Sequence, residues 1–277
     1  MGSAFDSSQL RYVAQVVADV AEREVLPQFL HLNAPQISRK TSAFDIVTDV
    51  DRRSESGITG ALLDAFPGAA IVGEEAASAD PSLLGSIELA PLCFVVDPLD
   101  GTMNFASGVP LFGIMVAVVQ KGETVGAIIH DPICRRTATA LRGEGAWETH
   151  ADGERLAMKV ADAVPLREMH AIIGTNFLPE PQRNVVARNL SRLGMSNWFR
   201  CAAHEYRLAA AGHMHLLFYN RLMPWDHAAG WLIHQEAGGY SAHFDGSAYR
   251  PFHTQGGLLC APSKATWDVA REALMSE

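Results

Sequence analysis

The sequence predicts an α+β or layered α/β fold built on a mixed sheet. Helical and strand-like segments mix along the whole 277-residue chain without a regular βαβ repeat. Two apolar runs, 112–119 and 125–129, flank a short Lys-Gly-Glu turn at 121–123, which is typical of a β-hairpin. Hydrophobic residues make up 48% of the chain and charged residues 19%, so a globular rather than a disordered chain is predicted.

The first half is predicted to contain two helices and then a series of short strands. Apolar residues at helical spacing from Leu10 to Val25 predict a helix over 6–30, and a polar loop that contains Lys40 follows. A second helix, over 54–66, ends at a Pro-Gly pair. The predicted strands are 69–72, 92–96, 112–119, 125–129 and 137–141.

The second half is predicted to alternate strands with helices. Gly212 and the Gly238-Gly239 pair mark the ends of two of these helices. The contrast with the hairpin-rich first half predicts two subdomains, 1–155 and 156–277. The predicted elements are, in order, strand 169–174, helices 182–193 and 203–211, strand 215–218, helix 225–236, strand 257–260 and helix 265–275.

The charge balance restricts the class of partner. The chain has 31 acidic and 22 basic residues, a net charge of −9, which argues against a nucleic-acid partner bound by general electrostatics. An acidic chain can still bind a small phosphorylated substrate if metal ions supply the positive charge. No apolar run reaches the length of a membrane helix, and the first residues lack the pattern of a signal peptide. A cytoplasmic protein without a membrane partner is therefore expected.

Carboxylates cluster where predicted strands end and where one helix starts. Glu74 follows one strand, Asp97 and Asp100 follow the next, and Asp226 opens a helix. Each motif alone is more often an ordinary turn or helix cap. Together they are more informative, because an apolar element precedes and positions each of them. Brought together without cations, such acids would raise one another's pKa.

The stretch 97–102, Asp-Pro-Leu-Asp-Gly-Thr, is the most informative of these clusters. Its proline stiffens the turn, so Asp97 and Asp100 can face the same side. If a helical turn begins at Thr102, its free N–H groups point toward the same place. Carboxylates bind hard cations and amides bind phosphate oxygens, so the pattern suits Mg²⁺ with phosphate. Two ions about 3.5–4 Å apart would activate water and stabilise a leaving oxygen.

The chain resembles the inositol monophosphatase family, the lithium-sensitive, Mg²⁺-dependent phosphatases. The resemblance rests on motifs in family order: G-E-E at 73–75, D-P-L-D-G-T-M-N-F at 97–105, W-D-H-A-A-G at 225–230 and E-A-G-G at 236–239. With weaker matching blocks, it covers nearly the whole chain. It implies an αβαβα sandwich with mixed sheets and a homodimer.

The resemblance also implies the metal ligands. Glu74, Asp97 and the carbonyl of Leu99 would hold a first Mg²⁺ ion. Asp97, Asp100 and Asp226 would hold a second ion, so that Asp97 bridges the two. A third, weaker ion would be bound to Glu74 through water. Two or three Mg²⁺ ions are therefore the expected cofactor, and their charge would let an acidic protein bind an acidic substrate.

The catalytic and phosphate-binding residues follow from the same motifs. Thr102, together with Asp51, would orient the nucleophilic water near Glu74, and these three residues are the expected catalytic set. The amides of Gly101 and Thr102 would bind the phosphate. Lys40 matches a loop lysine that approaches the site in this family.

Inositol monophosphate is the substrate that the resemblance favours. In this family a glutamate shortly before the Trp-Asp pair contacts the sugar-like ring, whereas here Asn220 replaces it and the intervening glycine is missing. An amide still exchanges hydrogen bonds with a hydroxyl, so Asn220 and Asp226 are the expected substrate contacts. Because the loop is shorter and carries Arg221, histidinol phosphate, fructose 1,6-bisphosphate and adenosine 3′,5′-bisphosphate stay open as alternatives.

A non-catalytic role on the same fold is the competing hypothesis. Some members of the family associate with transcription or ribosome machinery. The intact carboxylate set argues against a regulatory binding protein alone, because unpaired buried acids are costly to keep.

Other catalytic motifs are incomplete in this sequence. His204-Glu205 lacks the second histidine of a zincin, since Leu208 occupies that position. The four scattered cysteines are expected to be buried thiols.

Overall fold

The computed structural model describes residues 5–31, 37–39 and 46–277. Lys40, which is expected near the site, lies outside these residues. Two short strands, β1 (Ile37–Arg39) and β2 (Ile46–Thr48), pair in antiparallel fashion. In the described part of the chain, no helix combines the length and the apolar character needed to cross a membrane.

Local capping decides where the first helices begin. Asp6 caps α1 by accepting two backbone amides. Thr48 and Asp51 form a capping box, so α2 begins at Asp49 and not at the predicted residue 54. The helices are α1 (Ser7–Val20, continued by a π-helical turn over Ala21–Val25 and a 3₁₀ turn over Leu26–Gln28), α2 (Asp49–Ala65), α3 (Glu74–Ala79), α4 (Gly85–Leu89), α5 (Thr102–Ala106), α6 (Glu180–Asn189), α7 (Ala202–Ala210), α8 (Pro224–Glu236) and α9 (Lys264–Met275).

Within the described residues, the larger sheet has seven strands in the order β3-β4-β5-β6-β7-β8-β9. β3 and β4 pair in parallel and every later pair is antiparallel, so the sheet is mixed, as predicted. The predicted hairpin is formed by β5 and β6. The strands are β3 (Ala70–Gly73), β4 (Cys93–Asp100), β5 (Gly113–Gln120), β6 (Glu123–Asp131), β7 (Arg136–Leu141), β8 (Ala146–Thr149) and β9 (Arg155–Ala157).

The second sheet, over the same described ranges, has five strands in the order β11-β10-β12-β14-β13. β10 pairs in parallel with β11 and β12, whereas β14 is antiparallel to β12 and β13, so this sheet is mixed as well. The strands are β10 (His170–Ile173), β11 (Met195–Asn197), β12 (Leu216–Tyr219), β13 (Tyr240–Ala242) and β14 (Leu258–Ala261).

The sheets and helices stack in five layers. α1 and α2 bury Val17 and Ile58 against one face of the larger sheet. α7 and α8 lie between the sheets, where Tyr206 and Leu232 share one core with strands of both. α6 and α9 cover the outer face of the smaller sheet. The order is therefore helix, sheet, helix, sheet, helix, and burial of apolar side chains between the layers stabilises it.

Several short elements escape prediction because they bury little apolar surface. β9 is exposed along its length and β11 nearly so, while α3 and α4 each bury one residue. One expectation is wrong: Cys134 is exposed, because it lies in the turn between β6 and β7, whereas the other three cysteines are buried free thiols. The division of the chain at residue 155 stays a prediction.

Candidate active site

The ends of two parallel strands place the first acids side by side. In the pairing of β3 with β4, Gly73 lies opposite Val96, so the residues that follow, Glu74 and Asp97, are neighbours. The pairing of β4 with β5 shifts register between Asp97 and Asp100. Such irregularities re-aim side chains next to active sites. The carboxylates of the two motifs therefore meet at one end of the larger sheet.

Asp226 joins this group from the first turn of α8, and the four acids line one cavity of about 630 Å³. Burial, and then repulsion by Glu74, Asp100 and Asp226, raises the pKa of Asp97 well above its usual range. Burial and repulsion by Glu74 and Asp100 do the same to the pKa of Asp226. Burial raises the pKa of Asp100 to about 6. The acids thus act on one another directly.

The donor set of this cavity fits a hard divalent cation. Asp97 is 1% exposed, and repulsion by Asp226 helps to raise its pKa, so a cation bound between these carboxylates would neutralise charge that the fold otherwise buries. Asp100 Oδ2 accepts hydrogen bonds from the Ala203 amide at 2.6 Å and the Cys201 thiol at 3.1 Å, which fix the orientation of this carboxylate in the cavity wall. Carboxylate oxygens are the ligands that Mg²⁺ takes in proteins.

A second group with metal-ligand character is explained by ordinary contacts. In the described ranges, three ligand atoms lie within 4.8 Å of one another only at His150, Asp152 and Glu154, in the turn between β8 and β9. His150 already contacts Glu148 at 3.1 Å and Glu154 at 3.7 Å. The four acids of the cavity are farther apart than the members of this group. Such spacing suits ligands that would bind two ions together with a backbone carbonyl.

Thr102 and Asp51 form a hydrogen-bonded pair beside the acids. Thr102 Oγ1 lies 3.1 Å from Asp51 Oδ1 and 3.0 Å from the Leu99 carbonyl oxygen. Thr48 donates to the other Asp51 oxygen from its amide at 2.8 Å and its hydroxyl at 2.5 Å. Burial raises the pKa of Asp51 to about 6, so Asp51 is mostly ionised at neutral pH. Both partners of Thr102 are acceptors and a hydroxyl has one proton, so Thr102 donates to one of them at a time and can accept a hydrogen bond from water.

The turn after β4 brings Gly101 and Thr102 to the cavity wall. Gly101 has φ +85°, and a Cβ on it would lie 2.7 Å from the carbonyl oxygen of Leu111, so this turn requires glycine. α5 begins at Thr102, so the helical turn that the sequence pattern allowed for at this position is present. Asn104 fixes the turn by donating to the carbonyl oxygens of Leu111 and Phe199, both at 2.8 Å.

Glu55 of α2 positions Glu74, and the sequence patterns did not single it out. Its carboxylate accepts the backbone amides of Glu75 at 2.8 Å and Ala76 at 2.9 Å, and so caps the helix that Glu74 begins. A Cβ on Gly73 would lie 2.2 Å from this carboxyl group. The glycine of the G-E-E motif therefore makes room for the cap. No local pattern links positions so far apart in the chain.

Replacing Glu55 with alanine is expected to lower the free energy of unfolding by ~1–2 kcal/mol, because two amide groups lose their acceptor. We expect kcat for phosphate ester hydrolysis to fall as well, because α3 carries Glu74. Asp80→Ala is the matched control, since exposed Asp80 caps the next 3₁₀ turn through Ser82. Chemical denaturation and steady-state kinetics would test both variants. An unchanged kcat in a destabilised Glu55→Ala protein would contradict the positioning role.

Asn220 lies in the cavity wall, where the sequence places it, but the fold also uses it. Its side-chain nitrogen donates to the carbonyl oxygen of Gly174 at 2.5 Å and so ties the end of β12 to the end of β10. The amide oxygen is left to accept a hydrogen bond from a substrate hydroxyl. Asn220 therefore offers a substrate less than its full hydrogen-bonding capacity.

Further cavity residues were not found by motif reasoning. Glu205 of α7 is 1% exposed and accepts the Phe199 amide at 3.1 Å. Burial, followed by repulsion from Asp100, raises the pKa of Glu205 to about 8, so it is mostly protonated at neutral pH. Arg183 and Arg200 also line the cavity. These residues belong to no motif, and only the tertiary fold brings them to the acids.

Comparison with known proteins relates nearly the whole chain to one family. The family model "Inositol monophosphatase family" matches residues 6–276. The chain is 37% identical over 216 residues to Nus factor SuhB of Pseudomonas aeruginosa, with 74% of each protein covered. It is 31% identical over 216 residues to fructose-1,6-bisphosphatase/inositol-1-monophosphatase of Thermotoga maritima, with 78% of each covered.

The fold is similar to that of solved structures as well. The crystal structure of extragenic suppressor protein suhB from Bartonella henselae matches with a TM-score of 0.83 and 27% identity, over 97% of this chain and 98% of that one. The layered sandwich expected from the motifs is therefore confirmed. The family consists of metal-dependent phosphatases, and the four acids lie together in one cavity. The chain belongs to the inositol monophosphatase family.

Proposed function

We propose that this protein is a Mg²⁺-dependent phosphomonoesterase that acts on a small phosphorylated alcohol. The observation that carries the proposal is the convergence of Glu74, Asp97, Asp100 and Asp226 on one cavity. Burial raises the pKa values of the three aspartates, and repulsion by neighbouring acids adds to the shift at Asp97 and Asp226. Such a set is costly to bury unless cations bind to it. Strongly perturbed acids in a cleft are typical of functional sites.

Two sets of ligands are available for the ions. Glu74, Asp97 and the Leu99 carbonyl would hold the first, and Asp97, Asp100 and Asp226 the second, while a third would be bound to Glu74 through water. When bound, Mg²⁺ would neutralise these acids and the substrate phosphate and lower the pKa of a water molecule. Bridging by Asp97 is consistent with its deep burial and with its interaction with all three other acids.

The chain's own groups would orient the reaction. Thr102 would donate its proton to Asp51, 3.1 Å away, and accept a hydrogen bond from the attacking water, and that water would lie near Glu74. The amides of Gly101 and Thr102 would hold the phosphate, and Lys40 would approach it. The water oxygen bonds to phosphorus, the ester P–O bond breaks, and the alcohol leaves with a proton that the water supplied.

Inositol monophosphate stays the substrate predicted from the sequence, with the bisphosphates and histidinol phosphate as alternatives. The name of the Thermotoga maritima relative covers both fructose 1,6-bisphosphate and inositol 1-phosphate. Asn220, the expected contact for an inositol hydroxyl, is partly engaged by Gly174. A homodimer, a cytoplasmic location and sensitivity to lithium are further expectations that come from the sequence.

The proposal predicts Mg²⁺-dependent phosphate release from at least one of inositol 1-phosphate, histidinol phosphate, fructose 1,6-bisphosphate and adenosine 3′,5′-bisphosphate. Values of kcat/KM for the four esters would rank the substrates, and excess EDTA is the control. Release in EDTA at the rate seen with Mg²⁺ would contradict the metal-dependent mechanism. If none of these or of a broad panel of phosphomonoesters were hydrolysed, a binding role would be favoured, as the name Nus factor SuhB of one relative suggests.

A further inference from the structure

His227 is a buried polar residue in the cavity wall, and the proposed mechanism does not use it. It follows Asp226 directly in α8 and is 2% exposed. Its ring nitrogen Nε2 lies 3.0 Å from the carbonyl oxygen of Arg221, and Nδ1 lies 3.2 Å from the hydroxyl oxygen of Tyr206. Both nitrogens are engaged by the fold, so the ring has no polar atom left for a ligand. The polarity of His227 therefore serves contacts within the protein.

The two partners determine which ring nitrogen carries the proton. A carbonyl oxygen only accepts hydrogen bonds, so the Nε2–H group of His227 donates to Arg221. Burial disfavours the charged form of an imidazole, so Nδ1 has no proton and accepts a hydrogen bond from the Tyr206 hydroxyl. One chain of hydrogen bonds thus runs from Tyr206 through His227 to the backbone of Arg221. Such a chain fixes the orientation of each of its members.

Tyr206 of α7 is itself held rigidly. Its side chain is 0% exposed, and its ring stacks on that of Tyr219 with 5.3 Å between the ring centres. A Cβ on Gly230, which lies one turn after His227 in α8, would be 2.1 Å from the Tyr206 ring. The final glycine of the W-D-H-A-A-G motif therefore allows α7 and α8 to approach closely enough for Tyr206 to reach His227.

The other end of the chain of hydrogen bonds holds the loop 220–223, which joins β12 to α8. The loop is tied at two points. The Asn220 side chain donates to a backbone carbonyl just after β10, and His227 donates to the Arg221 carbonyl oxygen. Asn220 is the expected contact for a substrate hydroxyl, and the charge of Arg221 favours the ionised form of Asp226. The position of this loop therefore matters to the substrate side of the cavity.

We propose that His227 is a positioning residue that fixes the loop 220–223 through the Arg221 carbonyl group, and so sets the affinity of the cavity for the alcohol part of the substrate. This inference rests on the proposed phosphatase function and extends it to a residue outside the metal-ligand set. The phosphate that reacts belongs beside the four acids, whereas Asn220 would contact the alcohol. A displaced loop should therefore raise KM and leave kcat nearly unchanged.

His227→Leu is the direct test, because leucine is apolar and removes both hydrogen bonds. We expect KM to rise at least about tenfold for the ester of the above panel that the wild type hydrolyses best. We expect kcat, and the Mg²⁺ concentration that gives half of the maximal rate, to stay within a few-fold of the wild type, because His227 is not among the proposed ligands. A loss of stability alone would not produce this split. A wild-type KM in a folded His227→Leu protein would overturn the proposal.

Two conservative variants separate the hydrogen bonds from the packing. His227→Gln retains a side-chain N–H group that can donate to Arg221, so we expect its KM to stay within a few-fold of the wild type. Tyr206→Phe keeps the ring and removes the donor to Nδ1, so we expect its KM to rise about threefold or more. A wild-type KM in Tyr206→Phe, or a KM raised about tenfold in His227→Gln, would overturn the proposal even if His227→Leu does not fold.

His234→Leu is the matched control from the same helix. His234 is 1% exposed and its Nδ1 lies 3.0 Å from the Ser241 hydroxyl, but it is not among the residues of the cavity wall. We expect this variant to unfold at a lower urea concentration and to keep the wild-type KM. An equal rise of KM in His227→Leu and His234→Leu would indicate a general loosening of α8 and overturn the positioning role. If the wild-type protein with Mg²⁺ hydrolysed no phosphomonoester, the proposed function and this inference would both be wrong, which is distinct from an unchanged KM in an active enzyme.

Discussion

Replacing Asp97 with asparagine is expected to lower kcat for phosphate release at least about 10³-fold, which corresponds to ~4 kcal/mol of transition-state stabilisation. Asp97 is 1% exposed and interacts with Glu74, Asp100 and Asp226. It is the one acid that both proposed ions share. An asparagine keeps the shape of the side chain but removes the charge that a hard cation needs. Steady-state phosphate release at saturating Mg²⁺ measures the effect.

The same substitution is expected to keep, or slightly raise, the unfolding temperature of the metal-free protein. The folded-state pKa of Asp97 is raised, so the folded state binds the proton more tightly than the unfolded state does. Its contribution to stability is therefore lost as pH rises from the unfolded pKa, about 3.9, through the folded one. Because asparagine does not ionise, the Asp97→Asn protein does not lose this stability at neutral pH. Thermal unfolding in EDTA measures it.

Asp131→Asn is the matched control, because Asp131 is also a buried aspartate but its pKa is lowered, whereas that of Asp97 is raised. Burial raises its pKa, yet the Cys134 amide and Arg207, at 3.0 Å, bring that pKa below its usual value. Its ionised form therefore stabilises the fold, so Asp131→Asn should unfold at a lower temperature and keep Mg²⁺-dependent turnover. Wild-type turnover in Asp97→Asn, at saturating Mg²⁺, would contradict the two-metal assignment.

Thr102→Val is expected to lower kcat about 10²-fold, because valine keeps the shape of threonine and removes the hydroxyl that is proposed to orient water. Thr102 Oγ1 contacts Asp51 Oδ1 and the Leu99 carbonyl oxygen, so the change also leaves Asp51 with one donor fewer. Mg²⁺ affinity should change little, since Thr102 is not among the proposed ligands. Rapid-quench or steady-state kinetics, with a Mg²⁺ titration in parallel, would separate the two effects.

Thr102→Ser provides the rescue, because serine retains a hydroxyl at the same position. We expect its kcat to lie within a few-fold of the wild type, with the gap to Thr102→Val as the measure of the hydroxyl's contribution. A serine variant as slow as the valine variant would indicate that packing of the Thr102 methyl group matters, and the proposed role of the hydroxyl would then be wrong.

The sequence is most informative where function and fold depend on the same short segment. The stretch 97–105 combines a buried strand, a turn that needs Gly101 and a helix start at Thr102, and all three are visible in the residue pattern. The mixed sheet and the layered fold follow from the mixture of helical and strand-like segments along the chain and from the hairpin that β5 and β6 form. β3 and β4 pair in parallel, and this register puts Glu74 beside Asp97, as expected if their two motifs contribute to one site.

The remaining features depend on contacts between distant segments. Glu55 caps α3 from another helix, and Glu205 and Arg200 reach the cavity from segments about a hundred residues beyond Asp97. The sequence around these residues does not reveal their roles, because it is similar to the sequence around glutamates and arginines that take no part in a site. The early start of α2 depends on the capping box of Thr48 with Asp51, which the predicted start at residue 54 overlooks.

Magnesium binding and phosphate release, measured on the same samples across one Mg²⁺ titration, test the central claim most directly. Equilibrium dialysis would count bound ions while inorganic phosphate is assayed in parallel, for the wild type and for Asp97→Asn. We expect binding and release to rise together in the wild type and both to be strongly reduced in the variant. Full-rate phosphate release by the wild-type protein in EDTA, or equal binding and turnover in Asp97→Asn, would contradict a catalytic metal site at these four carboxylates.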